Sequence, residues 1–248
     1  VLAMMNTPDA LIICNGFKDT EYIETAVLSQ KLGRNTIIVV DRIVELQMII
    51  DAAKKFNTRP KIGLRAKLHT KGAGKWVDSS GDRSKFGLTP MEIVECVEKL
   101  KKEDMLDSLE LLHYHIGSQI PSISCVKGSL KEGTRFYTEL YLMGARLKYI
   151  DVGGGLGVDY DGSGNSDSSI NYSEQEYAND VVSIIQSTCD EKGVPHPDIV
   201  TEAGRALVAH HSLLIFNVLG RNEVMRQEFN GHVSKEDHRI VQDLAEIY

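Results

Sequence analysis

Short apolar runs alternate with longer amphipathic stretches along most of the chain. The apolar runs are rich in Ile, Val and Leu and predict six β-strands, near Ala10–Cys14, Asn35–Val40, Lys61–Leu68, Ser108–His115, Leu147–Val152 and Asp198–Thr201. The stretches between them have helical spacing and predict five helices, over Asp19–Leu32, Ile43–Phe56, Pro90–Lys102, Ser124–Met143 and Ser173–Lys192. This alternation of strand and helix predicts an α/β fold with a parallel sheet and right-handed crossovers.

Polar residues at the ends of these stretches support the same division. Asp19 suits the N-cap of the first predicted helix, and Gly33 suits its end. Thr89 and Glu92 have the spacing of a capping box, with Pro90 in the first turn of the third helix. Six β/α units are two short of a (β/α)₈ barrel. We therefore expect residues 1–210 to form such a barrel without its first two strands.

The last part of the chain departs from this pattern. Residues 211–219 form another apolar run, which predicts a strand that leaves the barrel. Residues 221–248 are charge-rich and contain two short helical patterns, the second of which Ser234 and Asp237 are spaced to cap. We expect residues 211–248 to be the start of a β-rich C-terminal domain with a helical appendage. Because Val1–Met5 reads as the end of a helix, we also expect a longer parent protein.

Composition narrows the functional class. The chain has 248 residues, of which 42% are hydrophobic and 25% charged, enough for one large α/β domain with an appendage. A formal net charge of −7 argues against nucleic acid or an anionic membrane as a partner. No apolar stretch approaches the roughly 20 residues that span a bilayer. The scattered cysteines predict buried, reduced thiols in a cytosol-like compartment: Cys14, Cys96, Cys125 and Cys189.

Three motifs follow predicted strands directly, and the carboxyl ends of parallel strands share one rim, where ligands bind. In the first motif, alternation puts Leu109, Leu111, His113 and His115 on the face that points into a barrel. An imidazole at that rim can stack on a heteroaromatic ring. A His-x-His metal pair and two hydrogen-bonded core histidines are the alternatives.

The other two motifs suit a phosphorylated ligand. Gly153, Gly154 and Gly155 let backbone amides approach a phosphate, although a tight turn is the alternative and the dinucleotide spacing GxGxxG is absent. Arg205 suits a phosphate and Glu202 a protonated ring nitrogen, with a local salt bridge as the alternative. Taken in order, the three motifs point to pyridoxal 5′-phosphate (PLP).

Six segments carry a resemblance to a known family: Ile13–Asp19, Ile62–Lys67, Ser84–Leu88, Leu111–Ile120, Tyr149–Asp161 and Thr201–His211. They resemble the fold-type III PLP-dependent decarboxylases, whose barrel is of the alanine racemase kind, and within them the arginine decarboxylase branch. The likeness runs from about residue 10 to residue 220. It implies that His115 stacks on the PLP ring and that Arg65 lies near the phenolic oxygen of the ring.

The resemblance also implies which groups hold the phosphate: Ser118, Gly153, Gly154, Gly155, Gly204 and Arg205. Glu202 faces the pyridine nitrogen, and a carboxylate there keeps that nitrogen protonated, which favours decarboxylation over racemisation. Glu202 and His115 are thus the expected catalytic residues. Three residues are expected on the substrate side: Asp159, Tyr160 and Asp161.

The implied activity is decarboxylation of L-arginine to agmatine and CO₂ in polyamine (putrescine and spermidine) biosynthesis, in the cytoplasm or, in a plant, the plastid. Mg²⁺ and a homodimer or larger homo-oligomer with sites at its interfaces are part of the same expectation. The alternatives are a decarboxylase of ornithine, lysine or diaminopimelate, a non-catalytic PLP-binding barrel, and an unrelated phosphate-binding barrel such as an aldolase. The family's Schiff-base lysine and catalytic cysteine are expected outside this chain, since none of its lysines or cysteines matches their motifs.

Overall fold

Six parallel strands pair side by side in the order of the sequence. They are β1 (Leu11–Cys14), β2 (Asn35–Val40), β3 (Lys61–Arg65), β4 (Leu109–His113), β5 (Tyr149–Asp151) and β6 (Asp198–Val200). The structure is a computed structural model that describes residues 2–5, 7, 9–70, 84–222 and 233–247. Parallel pairing in sequential order confirms the predicted α/β class. The sheet is open, with β1 and β6 as its edges.

The five long helices predicted from the sequence are all present. They are α1 (Thr20–Lys31), α2 (Ile43–Phe56), α3 (Pro90–Lys102), α4 (Ile123–Leu142) and α5 (Glu174–Lys192), and a short α6 (Gly204–Val208) follows β6. Asp19 accepts a hydrogen bond from the Tyr22 amide, and Thr89 forms a capping box with Glu92, as predicted. None of the helices in the described ranges is both long and apolar enough to cross a membrane.

The strand β3 is shorter than its sequence pattern, and β4 and β5 are also shorter than predicted. The run Lys61–Leu68 predicted a strand throughout, but β3 ends at Arg65. Ala66 still donates to the His113 carbonyl at 2.8 Å, whereas the Lys67 amide donates to the Leu88 carbonyl at 2.9 Å. Arg65 therefore lies at the carboxyl end of β3, where a ligand-binding residue is expected.

Two clusters of apolar side chains cover the two faces of the sheet. The larger cluster packs the strands against α1 to α5. The smaller cluster is built from alternate strand positions: Ile37, Val39 and Leu111, with Leu11, Ile13 and Tyr149 packed against them. Gly63 leaves room for Leu111, since a Cβ at Gly63 would lie 2.8 Å from Leu111 Cδ2. The smaller cluster is the inward-facing layer of a barrel-type sheet.

A bulge in β4 corrects one prediction about its inward face. Ile62 pairs with Leu109, but the next residue of β3, Gly63, pairs with Leu111. Two residues of β4 therefore oppose one of β3, and the alternation is broken between Leu109 and Leu111. Leu109 belongs to the larger cluster and not to the inner layer, contrary to the sequence-based expectation. Leu111 faces the interior as predicted.

Helix α4 lies close against the end of β4 because one of its residues is a glycine. A Cβ at Gly133 would lie 2.3 Å from Cε1 of the Tyr114 ring. Tyr114 is buried and extends the ladder beyond β4, since its amide donates to the Asp151 carbonyl at 3.0 Å. The ring of Tyr114 thus occupies the space that a side chain at Gly133 would need.

The chain folds into two compact units, Val1–His211 and Ser212–Tyr248. In the second unit, the strand predicted over residues 211–219 is wrong, because the structure assigns no strand to residues 212–222. A strand requires a neighbouring strand, and the sheet found in the described part of the chain does not include this run. Six of its apolar side chains are 74–99% exposed: Leu213, Leu214, Ile215, Phe216, Val218 and Leu219.

The tail contains one described helix, α7 (Arg239–Ile247). The Ser234 amide donates to Asp237 Oδ2 at 2.7 Å, as in half of a capping box. This bond closes a turn, and the helix begins only at Arg239, so the pair does not cap it as predicted. Residues 223–232, where the first helical pattern of the tail was expected to lie, are outside the described residues.

Candidate active site

Residues from both edges of the sheet meet at the carboxyl ends of the strands. Glu202 follows β6, and its amide donates to the Gly153 carbonyl at 2.8 Å. Asn15 follows β1, and its side-chain amide donates to Glu202 Oε1. His113, the last residue of β4, places Nε2 at 3.5 Å from Glu202 Oε2. Each carboxylate oxygen of Glu202 therefore faces a different nitrogen of the protein.

These contacts favour the ionised form of Glu202. The polar contact with His113 is the largest influence and lowers the pKa of Glu202, while burial acts in the opposite direction. Electrostatic interaction with His113 and His115 and the bond from Asn15 lower this pKa further. The site thus presents a carboxylate at the end of β6, as expected for a residue that faces a protonated ring nitrogen.

Asp151, the last residue of β5, is a second carboxyl group beside Glu202. It is fully buried, and its Oδ1 accepts a hydrogen bond from the Gly153 amide at 2.9 Å. Its Oδ2 has no hydrogen-bond partner among the described residues. Burial raises the pKa of Asp151 to about 6, and the nearby Glu202 acts in the same direction.

The raised pKa predicts a pH dependence of stability that Asp151→Asn removes. A group whose pKa rises from 3.8 to about 6 on folding binds more protons in the folded state, so stability falls as the pH rises through about 6. Between about pH 5 and about pH 7.5, the cofactor-free wild type should lose about 1.5 kcal/mol more than the Asn variant. Urea unfolding at both pH values measures this difference. Equal pH dependence in the two proteins would contradict it.

His115 lies just beyond β4, as a neutral imidazole next to a space kept open by Gly154. Its Nδ1 accepts a hydrogen bond from the Gly117 amide at 3.1 Å. Burial is the main cause that lowers the pKa of His115, and the neighbouring His113 lowers it further. A Cβ at Gly154 would lie 2.9 Å from the Glu202 carbonyl oxygen and 3.1 Å from His115 Nε2. Only glycine keeps this space open without moving the backbone.

Arg205, in the first turn of α6, is the basic residue of a separate polar group. Its guanidinium donates to Ser118 Oγ and to Tyr160 Oη, both at 3.2 Å. The bond to Ser118 joins the segment that follows β4 to the segment that follows β6. The Gly153 amide is already bonded to Asp151, whereas the Gly154 and Gly155 amides have no acceptor among the described residues. Gly204 begins α6, and its amide donates to the Glu202 carbonyl at 2.8 Å.

Arg65 is held at the end of β3 by an acidic residue from the neighbouring strand. Its Nη1 lies 3.0 Å from Oδ1 of Asp41, which follows β2. The guanidinium also stacks over the Phe86 ring at 5.0 Å. Asp41 accepts a further bond from the Gly87 amide at 3.2 Å. The arginine is thus fixed at the rim beside His113, its register partner on β4.

The three residues expected on the substrate side have different hydrogen-bond partners. Tyr160 bonds to Arg205. Asp159 instead accepts hydrogen bonds from Gly162 and Ser169 of its own loop. Asp161 does the same with the amide of Ser163 and the hydroxyl of Ser166. Both carboxylates are therefore engaged in shaping the loop over residues 159–169.

Three residues of the site were missed from the sequence: Asn15, Asp41 and Asp151. Asn15 and Asp41 follow β1 and β2 directly, and Asp151 ends β5. Their positions at strand ends were the available signal, because polar residues there face the ligand in this class of fold. Each is a single polar residue outside the glycine and histidine motifs, so the motifs alone do not identify it.

His113, Asp151 and Glu202 form one tight group. One donor atom from each lies within 4.8 Å of the others, close enough to share a cation. Within the described ranges this is the only group of three or more His, Cys, Asp or Glu side chains with that property. Both ring nitrogens of His113 lack a hydrogen-bond partner in the same part of the chain.

Comparison with known proteins gives a consistent family. The family model described as "Pyridoxal-dependent decarboxylase, pyridoxal binding domain" matches residues 1–209. The biosynthetic arginine decarboxylase of Phocaeicola vulgatus is 50% identical over 250 residues, which cover 100% of this chain and 40% of that protein. The biosynthetic arginine decarboxylase of Nostoc sp. is 52% identical over 226 residues, which cover 91% of this chain and 33% of that protein.

A solved structure agrees with these relatives. The crystal structure of the biosynthetic arginine decarboxylase from Campylobacter jejuni matches with a TM-score of 0.76 and 38% identity. The match covers 100% of this chain and 39% of that one. The predicted fold class, part of a (β/α)₈-type PLP-binding barrel, is confirmed by the family match and this neighbour. The chain spans about two fifths of the length of the first of these relatives.

Proposed function

Because the chain belongs to the pyridoxal-dependent decarboxylase family, we propose that it forms the PLP-binding part of an enzyme that converts L-arginine to agmatine and CO₂. The observation that carries this proposal is the Glu202 carboxylate, kept ionised by His113 and Asn15 at the end of β6. The choice of arginine is supported by relatives named biosynthetic arginine decarboxylases at 50% and 52% identity. Agmatine would then enter putrescine and spermidine synthesis.

The residues present fit PLP. Gly154 keeps open a space that a single Cβ would fill, between His115 and the backbone of Glu202. Buried nitrogens of His113 and an oxygen of Asp151 have no partner among the described residues, which marks the same place as polar and incomplete. We assign the phosphate to Arg205, Ser118 and the amides of Gly154 and Gly155. The amides of Gly153 and Gly204, also expected there, already donate to Asp151 and to the Glu202 carbonyl.

PLP, when bound, supplies the electron sink for the pair released as the carboxylate of the substrate leaves. The chain's own part is electrostatic. Glu202 would keep a proton on the pyridine nitrogen, and the protonated nitrogen would make the ring a stronger electron acceptor. Neutral His115 provides a flat face for the ring, and Arg65, fixed by Asp41, provides a positive charge near the phenolic oxygen.

Other parts of the reaction are proposed to come from the rest of the protein. The Schiff-base lysine and the catalytic cysteine of the family are assigned to segments outside this chain. Homo-oligomerisation, with sites at the interfaces, is proposed on the family resemblance. A cytoplasmic location is supported by the four cysteines, all of which are free.

Mg²⁺ does not fit the group of donors found here. Magnesium prefers oxygen ligands in octahedral geometry, whereas the tight group includes an imidazole, His113. Its other members, Asp151 and Glu202, surround the position that we assign to the pyridine nitrogen. No step of the reaction is therefore assigned to this ion.

The full-length protein tests the proposal directly. We expect visible absorbance from bound PLP, and release of CO₂ and agmatine from arginine in preference to ornithine, lysine or diaminopimelate. Preference for one of those three would keep the family and change the substrate. Bound PLP with no product from any of the four would indicate a non-catalytic PLP-binding barrel. Absence of bound PLP would overturn the proposal.

Arg205→Ala should weaken PLP binding about ten- to a hundredfold. A hydrogen bond to a charged group contributes about 1.5–3 kcal/mol, and each 1.4 kcal/mol corresponds to a factor of ten. The measurement is the PLP concentration that restores half of the bound-cofactor absorbance to the apo-protein. Arg205→Lys is the matched control, because it keeps the charge and should lose less affinity. Unchanged affinity in Arg205→Ala would remove Arg205 from the phosphate site.

A further inference from the structure

His113 is a polar side chain that lies almost fully buried at the end of β4. Its side chain is 2% exposed, and neither ring nitrogen has a hydrogen-bond partner in the described part of the chain. An unsatisfied buried polar atom costs free energy, so such atoms in a native structure call for a functional explanation. The nearest candidates for partners are the two carboxyl groups of Glu202 and Asp151.

The surroundings of His113 contain more negative than positive charge. Glu202 and Asp151 offer two carboxyl groups, whereas Arg65, the register partner of His113, is held by Asp41 at 3.0 Å. Asn15 faces Glu202 as a neutral donor, and His115 is bonded through Nδ1 to a backbone amide. Two carboxyl groups therefore share one imidazole, and a second group, with a positive charge, is needed beside them.

A protonated pyridine nitrogen is that second group. Each oxygen of a carboxylate has two acceptor positions. In Glu202, Asn15 uses one position on Oε1, and His113 faces Oε2 at 3.5 Å. Positions therefore remain on the same carboxylate for an N–H group of a ligand. The distance of 3.5 Å is typical of a contact that tightens when its ligand is present.

We propose that His113 is a positioning residue that holds the Glu202 carboxylate against the pyridine nitrogen of PLP, with Asp151 as the second carboxyl group beside the imidazole. This rests on the proposed function, because it assumes that PLP occupies the site. His113 touches Glu202 and not the reacting atoms, so its effect on the ring passes through that carboxylate. Asp151 in turn is fixed by the Gly153 amide at 2.9 Å.

The first test reads the ring nitrogen itself. Full-length protein is loaded with PLP labelled with ¹⁵N in the ring, and the ¹⁵N chemical shift reports whether that nitrogen is protonated. We expect a protonated nitrogen in the wild type, a shift toward the unprotonated value in His113→Leu, and recovery in His113→Gln, whose amide can still donate to Glu202. Leu109→Ala is the control, because it destabilises the same strand at a residue that packs in the larger cluster.

The second test asks whether His113 acts through Glu202. His113→Leu should lower kcat about ten- to a hundredfold, the range for a hydrogen bond to a charged group, with KM nearly unchanged. In a Glu202→Gln background the same change should cost less than about threefold, because the carboxylate it positions is already gone. Equal losses in both backgrounds would show that His113 is only structural.

The outcomes separate this inference from the proposed function. If the wild type fails to bind PLP, both are overturned. If it binds PLP with a protonated nitrogen and His113→Leu changes neither the ¹⁵N shift nor kcat, only the role of His113 is overturned. Dialysis against EDTA should leave the ¹⁵N shift unchanged. A change on dialysis would show that the group of His113, Asp151 and Glu202 holds a divalent cation instead, which also overturns the inference.

Discussion

Glu202→Gln should lower kcat for arginine decarboxylation by about 10²–10³ while PLP stays bound. The Gln side chain keeps the size of Glu202 and can still bond to Asn15, but it lacks the charge that holds a proton on the ring nitrogen. The protonated nitrogen assists mainly in the transition state, when electrons enter the ring, so loss of its proton should appear in kcat and not in KM. The magnitude follows other electrostatic groups that act mainly in the transition state.

The measurement is steady-state CO₂ release by the full-length variant, with cofactor content checked by absorbance. Glu95→Gln is a suitable control, because it makes the same chemical change on an exposed position of α3. If Glu202→Gln retains kcat within about threefold of wild type with PLP bound, Glu202 is only a structural partner of His113 and Asn15. The electrostatic account of the site would then be wrong.

Gly153→Ala should destabilise the fold by about 2–5 kcal/mol, a large part of the 5–15 kcal/mol that is typical of a domain. Gly153 has φ +70°, which costs a residue with a side chain about 1–2 kcal/mol. Its Cβ would also lie 2.3 Å from the Tyr114 carbonyl oxygen and 2.9 Å from the His115 Cα, both backbone atoms. Overpacking of this kind adds about 1–3 kcal/mol.

Gly162→Ala separates the two causes. Gly162 has the same φ of +70°, but a Cβ there would meet nothing within 4 Å. Gly162→Ala should therefore lose only the conformational part, about 1–2 kcal/mol. Urea unfolding of the cofactor-free proteins gives both values. Equal losses in the two variants would show that the backbone near Tyr114 and His115 relaxes around the new methyl group.

The order and type of the elements in the first unit were predictable because their signals are local. The strands β1 to β6 are short runs that contain Ile, Val or Leu, and α3 begins with Pro90 after a capping box between Thr89 and Glu92. Glu202 and Arg205 were predictable as a pair for a different reason. Their spacing after a strand matches a recurring ligand motif, and the structure places both at the strand ends.

What could not be predicted depends on partners far along the chain. The bulge between Leu109 and Leu111 is set by the register against β3, which alternation within β4 does not contain. The bond from Asn15 to Glu202 joins residues 187 positions apart. The apolar run from 211 to 219 has the composition of a strand, but strand formation depends on a neighbour that composition does not specify.

The close packing of Gly133 against Tyr114 has a consequence for how variants of this protein are classified. Tyr114 sits between His113 and His115 in the chain, so a side chain at Gly133 that moves its ring also moves the backbone carrying both imidazoles. In a random screen, a substitution at Gly133 would then impair cofactor binding and turnover, as a substitution in the active site does. A classification by distance from the ligand would place the Gly133 variant in the wrong class. Its true class would show in a second-site revertant that trims Tyr114 to a smaller residue.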